Sequence, residues 1–407
     1  MTTTSLAERA EGYLRRLCSE TIDRRVGSPG NRAATDFFSA TIAGFGFETR
    51  CPAFQCIDWC QAGAHLSVTN RPFEVFVTPF SLGGYVRAPL RTVSTVEELG
   101  ASKIDDAVVL LHGDLTEEPL MPKNFPFYNP VEHQRIIHLL ETKSPRAIIA
   151  ATSRSPQTAG AVYPFPLIED GDFDIPSVYM TEEEGARLAE RSGQQVSIDI
   201  RALRSPAHGC NVIARKGTGI HRRAVLFAHI DTKPQTPGAL DNASGVIVLL
   251  LLAELLTDFV GELGIEIVAM NGEEHYSSPG EQQYLTDNRG QFEEIALGIN
   301  LDGLGYGKGD TAYSLYGCPS DLARQVRATL SRRSGLIEGE AWYQGDHALF
   351  RINEVPAVAF TSQEMTEMLT KVVHTSKDRP DLVDVDKLVS IASALYDLLM
   401  ALEGASP

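Results

Sequence analysis

Cysteine is scarce in this chain, with six in 407 residues. That density does not support a scaffold held by disulfides. Cys51, Cys56 and Cys60 cluster, but their spacing is not that of a paired zinc knuckle, so free thiols are expected there. Long apolar runs are missing as well. The longest, Val246–Ala253, falls far short of the ~20 residues that a membrane helix needs. The opening MTTTSLAERAEGYLRRLC contains no apolar core of a secretory signal, which makes a cytoplasmic location the expectation. Positive charge is in deficit: Lys+Arg 36 against Asp+Glu 53, a net charge of −17. Such a chain is poorly suited to nucleic acid or anionic lipid, and neither is expected as a partner.

What is present is apolar material for a large core, 43% of residues, in a length that suits two or three domains. Residues 5–20 and Asn31–Ala43 read as helices, the second following the turn cluster Gly27-Ser28-Pro29-Gly30. From about Gly63 the texture changes to short strands broken by Pro, Gly and acidic residues, with helices at His133–Thr142 and Glu182–Ser192. The histidines of this stretch, His65, His112, His133 and His138, have no carboxylate partner at ligand spacing and read as structural or surface residues. From Asn211 the pattern becomes regular α/β. Lys216-Gly217-Thr218-Gly219 between Asn211–Arg215 and Arg223–His229 is a hairpin signal. The expected division is 1–62 with 203–407 as one domain and 63–202 as a strand-rich insert.

Chemistry collects at the ends of the apolar strands. Ala224–Ala228 runs into His229-Ile230-Asp231, Ile265–Met270 into Asn271-Gly272-Glu273-Glu274, and Ala296–Leu301 into Asp302. Asp241 stands where a helix should begin, and His374 follows the strand Val358–Thr361. Parallel strands of one sheet set such ends along a single rim, where α/β sheets bind ligands. Taken singly, each group has an ordinary reading, as a turn residue or a solvated acidic pair. Taken together they fall at the same end of their own strands. Two histidines, several carboxylates and no cysteine suit zinc or a similar divalent ion. One ion wants about three protein ligands and a water; five ligands with one shared carboxylate suit two ions ~3.5–4 Å apart.

The ordered set resembles the co-catalytic dizinc aminopeptidases of clan MH, a family that includes bacterial leucyl aminopeptidases and glutamate carboxypeptidase II. It comprises His229-x-Asp231, Gly238-Ala239-Leu240-Asp241-Asn242-Ala243-Ser244-Gly245, Gly272-Glu273-Glu274, Asn300-Leu301-Asp302 and His374-Thr375. The likeness runs from about Asn211 to the C-terminus, and Ser28-Pro29-Gly30-Asn31-Arg32 resembles the family's N-terminal segment. The resemblance implies a mixed, mostly parallel central sheet with helices on both faces, the zinc-exopeptidase (phosphorylase/hydrolase-like) fold. It implies that the strand-rich insert is similar to a protease-associated (PA) domain. It also implies two zinc ions per chain, replaceable by cobalt or manganese. His229 and Asp302 would bind one ion, Glu274 and His374 the other, and Asp241 would bridge them. Asp231 would orient His229 and Glu273 would be the general base. The segment Asp346-His347-Ala348-Leu349-Phe350 resembles the substrate-side loop, which makes Tyr343, Asp346 and His347 candidate substrate contacts. The family often has Tyr before the last histidine, where this chain has Val373.

The implied activity is that of a metallo-aminopeptidase, which hydrolyses the N-terminal bond of a peptide or aminoacyl substrate with a water activated at the metals. Two alternatives stay open. One is a related hydrolase or acyltransferase on the same scaffold: a carboxypeptidase, an amidohydrolase or a single-zinc glutaminyl cyclase. The other is a receptor-like member with a dead site, which predicts lost ligands. Association into a homo-oligomer is also left open.

Overall fold

Ser28 shows how local chemistry starts an element. Its Oγ accepts the Asn31 N–H at 3.0 Å and Pro29 fills the first helical position, which together open the helix Pro29–Gly44. The computed structural model describes residues 5–21, 23–154, 161–219, 222–342 and 345–404. The chain divides into two units, Met1–Cys56 with Ala207–Pro407, and Ile57–Pro206. Each unit is built on a mixed sheet.

Strand β1 (Glu48–Arg50) belongs to the first sheet. The second sheet takes β2 (Ala53–Val68), β3 (Arg71–Phe73), β4 (Phe76–Val77), β5 (Gly84–Val93), β6 (Val108–Leu111), β7 (Ala147–Thr152), β8 (Ser177–Thr181) and β9 (Gln195–Cys210). Its middle, β5-β6-β7-β8, is parallel. The chain then returns to the first sheet with β10 (Val212–Lys216), β11 (Arg223–His229), β12 (Gly264–Met270), β13 (Ile295–Leu301), β14 (Thr311–Tyr316), β15 (Leu336–Glu338) and β16 (Ala357–Ser362). The order is β1-β10-β12-β11-β13-β16-β14-β15. The four central strands, β12, β11, β13 and β16, are parallel to one another, while β10 and β14 flank them antiparallel.

Residues alternate between the two faces of the central strands. Ala224, Leu226 and Ala228 join one core cluster, and Val225 and Phe227 join the other. Helices cover both faces. The helix Ser244–Leu255 lies in the first cluster and is buried all round from Ser244 to Ala253, so its sequence is apolar on every side rather than on one stripe. The closing helix Val385–Glu403 begins at Asp384, whose side chain accepts the Asp386 and Lys387 N–H groups. No helix among the described residues is long and apolar enough to cross a membrane.

One expectation needs correction, and the structural reading of His133 acquires a partner that spacing did not show. Residues 216–219 do not close a hairpin, because β12 lies between β10 and β11. Burial on both faces favours a parallel β11–β12 pair over an adjacent hairpin. The glycines are needed for close approach instead. A Cβ on Gly217 (φ 86°) would stand 2.2 Å from the Leu263 carbonyl oxygen, and one on Gly219 would stand 2.0 Å from that of Glu262. His133 does have a carboxylate partner. Its Nε2 lies 3.0 Å from Glu118 Oε1, and its Nδ1 accepts the Met121 N–H at 3.1 Å. Glu118 stands too far along the sequence for spacing to reveal the pair. Both ring nitrogens are engaged within this unit. His133→Ala should therefore cost about 1–3 kcal/mol of stability from the stranded backbone donor and leave the metal content unchanged. Thermal denaturation with elemental analysis of the folded variant checks this, and lost metal would refute it.

Candidate metal centre

The ends of three parallel strands deliver the first donors. β11 ends on His229, aligned with Met270 at the end of β12. Beyond Met270 comes the loop Asn271-Gly272-Glu273-Glu274. Asp302 follows β13, and its N–H donates to the Phe360 carbonyl of β16 at 3.1 Å. Asp241 sits just before the helix Ser244–Leu255, in backbone with non-helical angles at Asp241 and Asn242. Asn242 opens that helix by accepting the Gly245 N–H at 3.0 Å, and its amide nitrogen donates to the Leu301 carbonyl at 2.8 Å. His374 arrives last, in a loop and with φ 62°.

The structure brings five of the predicted residues into two donor sets. His229, Asp241 and Asp302 form one, and Asp241, Glu274 and His374 the other; within each, donor atoms lie within 4.8 Å of one another. His229 Nε2 is 3.1 Å from Asp241 Oδ1 and 3.8 Å from Asp302 Oδ1. His374 Nε2 is 3.1 Å from Asp241 Oδ2 and 3.1 Å from Glu274 Oε1. Asp241 thus turns one oxygen to each histidine. Donor atoms ~2.0–2.2 Å from a tetrahedral ion stand ~3.3–3.6 Å apart, so these N/O sets fit two small divalent cations.

Asp231 is fully buried and its carboxylate is spent on backbone. Oδ1 accepts the Gly272 N–H at 2.9 Å and Oδ2 accepts the Glu274 N–H at 3.0 Å. His229 Nδ1 stands 3.2 Å from the Asp231 carbonyl oxygen and 3.7 Å from Oδ1. Asp231 therefore holds the two strand ends together as well as facing the imidazole. Glu273, between the two pinned amides, is in neither donor set.

The charges are unbalanced. Burial disfavours a charged ring at both histidines, but carboxylates outweigh it: Asp231, Asp241 and Asp302 raise the pKa of His229, and Glu274 with Asp241 raises that of His374. Asp241 moves the opposite way, held below the usual carboxylate range by the two histidines despite its burial. Burial pushes Glu273 well up, reinforced by Glu274, Asp346 and Asp302. Asp302 is raised by burial too. A site with more buried carboxylates than imidazoles gains from bound cations.

The candidate substrate loop divides. Asp346 is 2% exposed and raised well above the carboxylate range, first by burial and then by the neighbouring Glu281. Glu281 is itself pushed up to about 7, chiefly by burial. His347 is held between Trp342 and Tyr316, with ring centroids 4.4 and 4.6 Å away, and its Nε2 lies 2.9 Å from the Trp342 carbonyl oxygen. Tyr343 lies outside the described residues. Lys233 is a contact that spacing did not suggest: its Nζ is 3.5 Å from Glu274 Oε2. Several supports were also not foreseen. Asn271 donates to Thr35 Oγ1 (3.0 Å) and the Cys210 carbonyl (2.7 Å), accepts from Asn31 Nδ2 (2.6 Å), and takes Asn211 Oδ1 on its own N–H (2.9 Å). Asn31 belongs to the Ser-Pro-Gly-Asn segment, whose family likeness was the one available signal.

Comparison with known proteins places the chain beside aminopeptidases. Residues 211–399, which hold the whole donor set, match Peptidase family M28. Among individual relatives, the probable lipoprotein aminopeptidase LpqL of Mycobacterium tuberculosis is 26% identical over 286 residues, 69% of this chain and 54% of that protein. Aminopeptidase YwaD of Bacillus subtilis is 22% identical over 251 residues, 57% of this chain and 53% of that protein. The chain thus spans about half the length of the curated relatives it matches. A solved structure of a zinc aminopeptidase from Bacillus subtilis superposes with a TM-score of 0.75 at 18% identity, covering 98% of this chain and 95% of that one. At that identity the likeness is one of fold.

Proposed function

We propose that this chain is a zinc-dependent aminopeptidase with two metal ions per chain. The observation that carries the proposal is the shared carboxylate, Asp241, with each oxygen 3.1 Å from a different histidine Nε2. His229 and Asp302 would complete one site, and Glu274 and His374 the other. When bound, the ions would polarise the scissile carbonyl and lower the pKa of a water. The remaining work falls to the protein. Glu273 accepts the proton of the attacking water and returns it to the departing amine. Asp231 fixes the loop that carries Glu273, through Gly272 and Glu274. The match of residues 211–399 to Peptidase family M28 supports the class of reaction.

Metal-saturated protein should contain two equivalents of zinc by elemental analysis. It should release amine from aminoacyl amides, and N-acetylated versions of the same amides should stay intact. A stoichiometry that remains at one would favour the single-zinc cyclase-like alternative. Turnover of the blocked substrates would exclude an aminopeptidase.

A further inference from the structure

Asp241 must offer one oxygen to each histidine, yet no regular ladder holds it, because its backbone is irregular. Two buried side chains grip that stretch, one at its N–H edge and one at its carbonyl edge. On one edge Asp378 accepts the Leu240 N–H through Oδ1 at 2.7 Å and the Asp241 N–H through Oδ2 at 3.1 Å. On the other, Arg24 donates from Nη2 to the Gly238 carbonyl at 2.8 Å and from Nη1 to that of Pro237 at 2.8 Å. Its Nε donates to the Ile230 carbonyl at 2.9 Å, next to Asp231. Asp378 is 0% exposed and Arg24 2%.

Asp378 also belongs to the loop that carries His374. Its N–H donates to the Thr375 carbonyl at 3.2 Å, and its own carbonyl accepts the Ala239 N–H at 3.4 Å. Thr375 Oγ1 in turn donates to the Val372 carbonyl at 2.6 Å. One residue therefore ties the segment 239–241 to the segment 372–378. Burying a carboxylate is costly unless its oxygens are satisfied. Here both oxygens take backbone donors flanking the proposed bridging ligand, a geometry that neither an amide nor an apolar side chain reproduces.

We propose that Asp378 is a positioning residue for the metal centre, holding Asp241 and His374 at the separation that the ion between them requires. The proposal rests on the two-set reading of the site given above. The His229 side has its own anchor in the β11–β12–β13 pairing, so loss of Asp378 should act mainly on the His374 side.

The test is zinc binding to metal-stripped protein, by calorimetry against a competing chelator, in wild type and Asp378→Asn. Asn keeps one acceptor but turns an NH2 toward the other backbone N–H. At least one zinc site should lose ~10–100-fold in affinity, the usual effect of removing a ligand's support, and where His374→Ala shows which site depends on His374, that site should be the one that loses more. A fall in melting temperature with both affinities unchanged would mean a purely structural role and would overturn the proposal. The wild-type count judges the two-ion reading. The affinity difference judges Asp378 whichever count is found, because Asp241 belongs to both sets. If the variant does not fold, amide exchange in metal-free wild type decides. The Leu240 and Asp241 amides should be protected, and exchange at the unprotected rate would overturn the assignment.

Discussion

Glu273→Gln is expected to hold its metal normally and to lose nearly all turnover. The side chain stands between two amides pinned by Asp231 and belongs to neither donor set. Gly272 has φ 101° and a Cβ there would meet Pro279 Cδ at 2.7 Å, so the loop is narrowly defined. Glutamine fits the same space and preserves the fold. It cannot take up a proton. Burial and the neighbouring carboxylates Glu274, Asp346 and Asp302 raise Glu273 above an ordinary carboxyl, which suits a group that must both accept and return a proton. Loss of a general base costs ~10²–10⁴-fold in rate, or about 3–5 kcal/mol of barrier. The measurements are kcat on a good aminoacyl substrate and zinc content of the same sample. Retention of more than about a tenth of wild-type kcat, less than the smallest effect of a general base, would rule out the mechanism. Glu274→Gln should behave differently: one ion weakens, and excess zinc partly restores activity.

Asp241→Ala should lose both ions and, with them, activity. Each histidine Nε2 lies 3.1 Å from a different oxygen of Asp241. On the His229 side the other carboxylate, Asp302, is farther off at 3.8 Å. Removing the shared group therefore leaves two ligands per ion where about three are needed. It also removes the charge that screens the two cations from each other. Zinc should fall below one equivalent per chain after dialysis against buffer. His374→Ala supplies the contrast, since it should retain about one equivalent, held by His229, Asp241 and Asp302. An Asp241→Ala protein that still carried two would refute the shared-ligand arrangement.

The rim of donors was legible because it depends on short-range pattern. An apolar run long enough for a buried strand, followed at once by His or an acid, fixes both the element and the end at which the residue sits. His229, the pair Glu273-Glu274 and Asp302 could be placed at the rim from that pattern, and Asp241 from the helix beginning after it, but only the family resemblance singled out Glu274 rather than Glu273 as a ligand. The misread hairpin shows where pattern fails. Glycines at 217 and 219 look the same whether they turn a chain or admit a neighbouring backbone, here that of residues 262 and 263. The supports failed for a related reason. Arg24 and Asp378 bind backbone atoms, and backbone leaves no residue-type signature. Asp378 meets Asp241 across a sequence separation of 137, and Arg24 meets Gly238 across 214. Nothing in the identity of either partner announces the pairing.

The link between Asp378 and the Asp241 amide also sets a schedule. During synthesis the strand that ends in His229 and the helix that follows Asp241 leave the ribosome well before residues 374–378. Until that late segment emerges, Asp241 has neither its second histidine nor the acceptor for its own N–H. Contacts between residues so far apart carry a large loop-closure cost and form slowly. The nascent protein can therefore assemble the His229 half of its rim while the other half is still untranslated, and the two donor sets come together only after residues 374–378 have emerged.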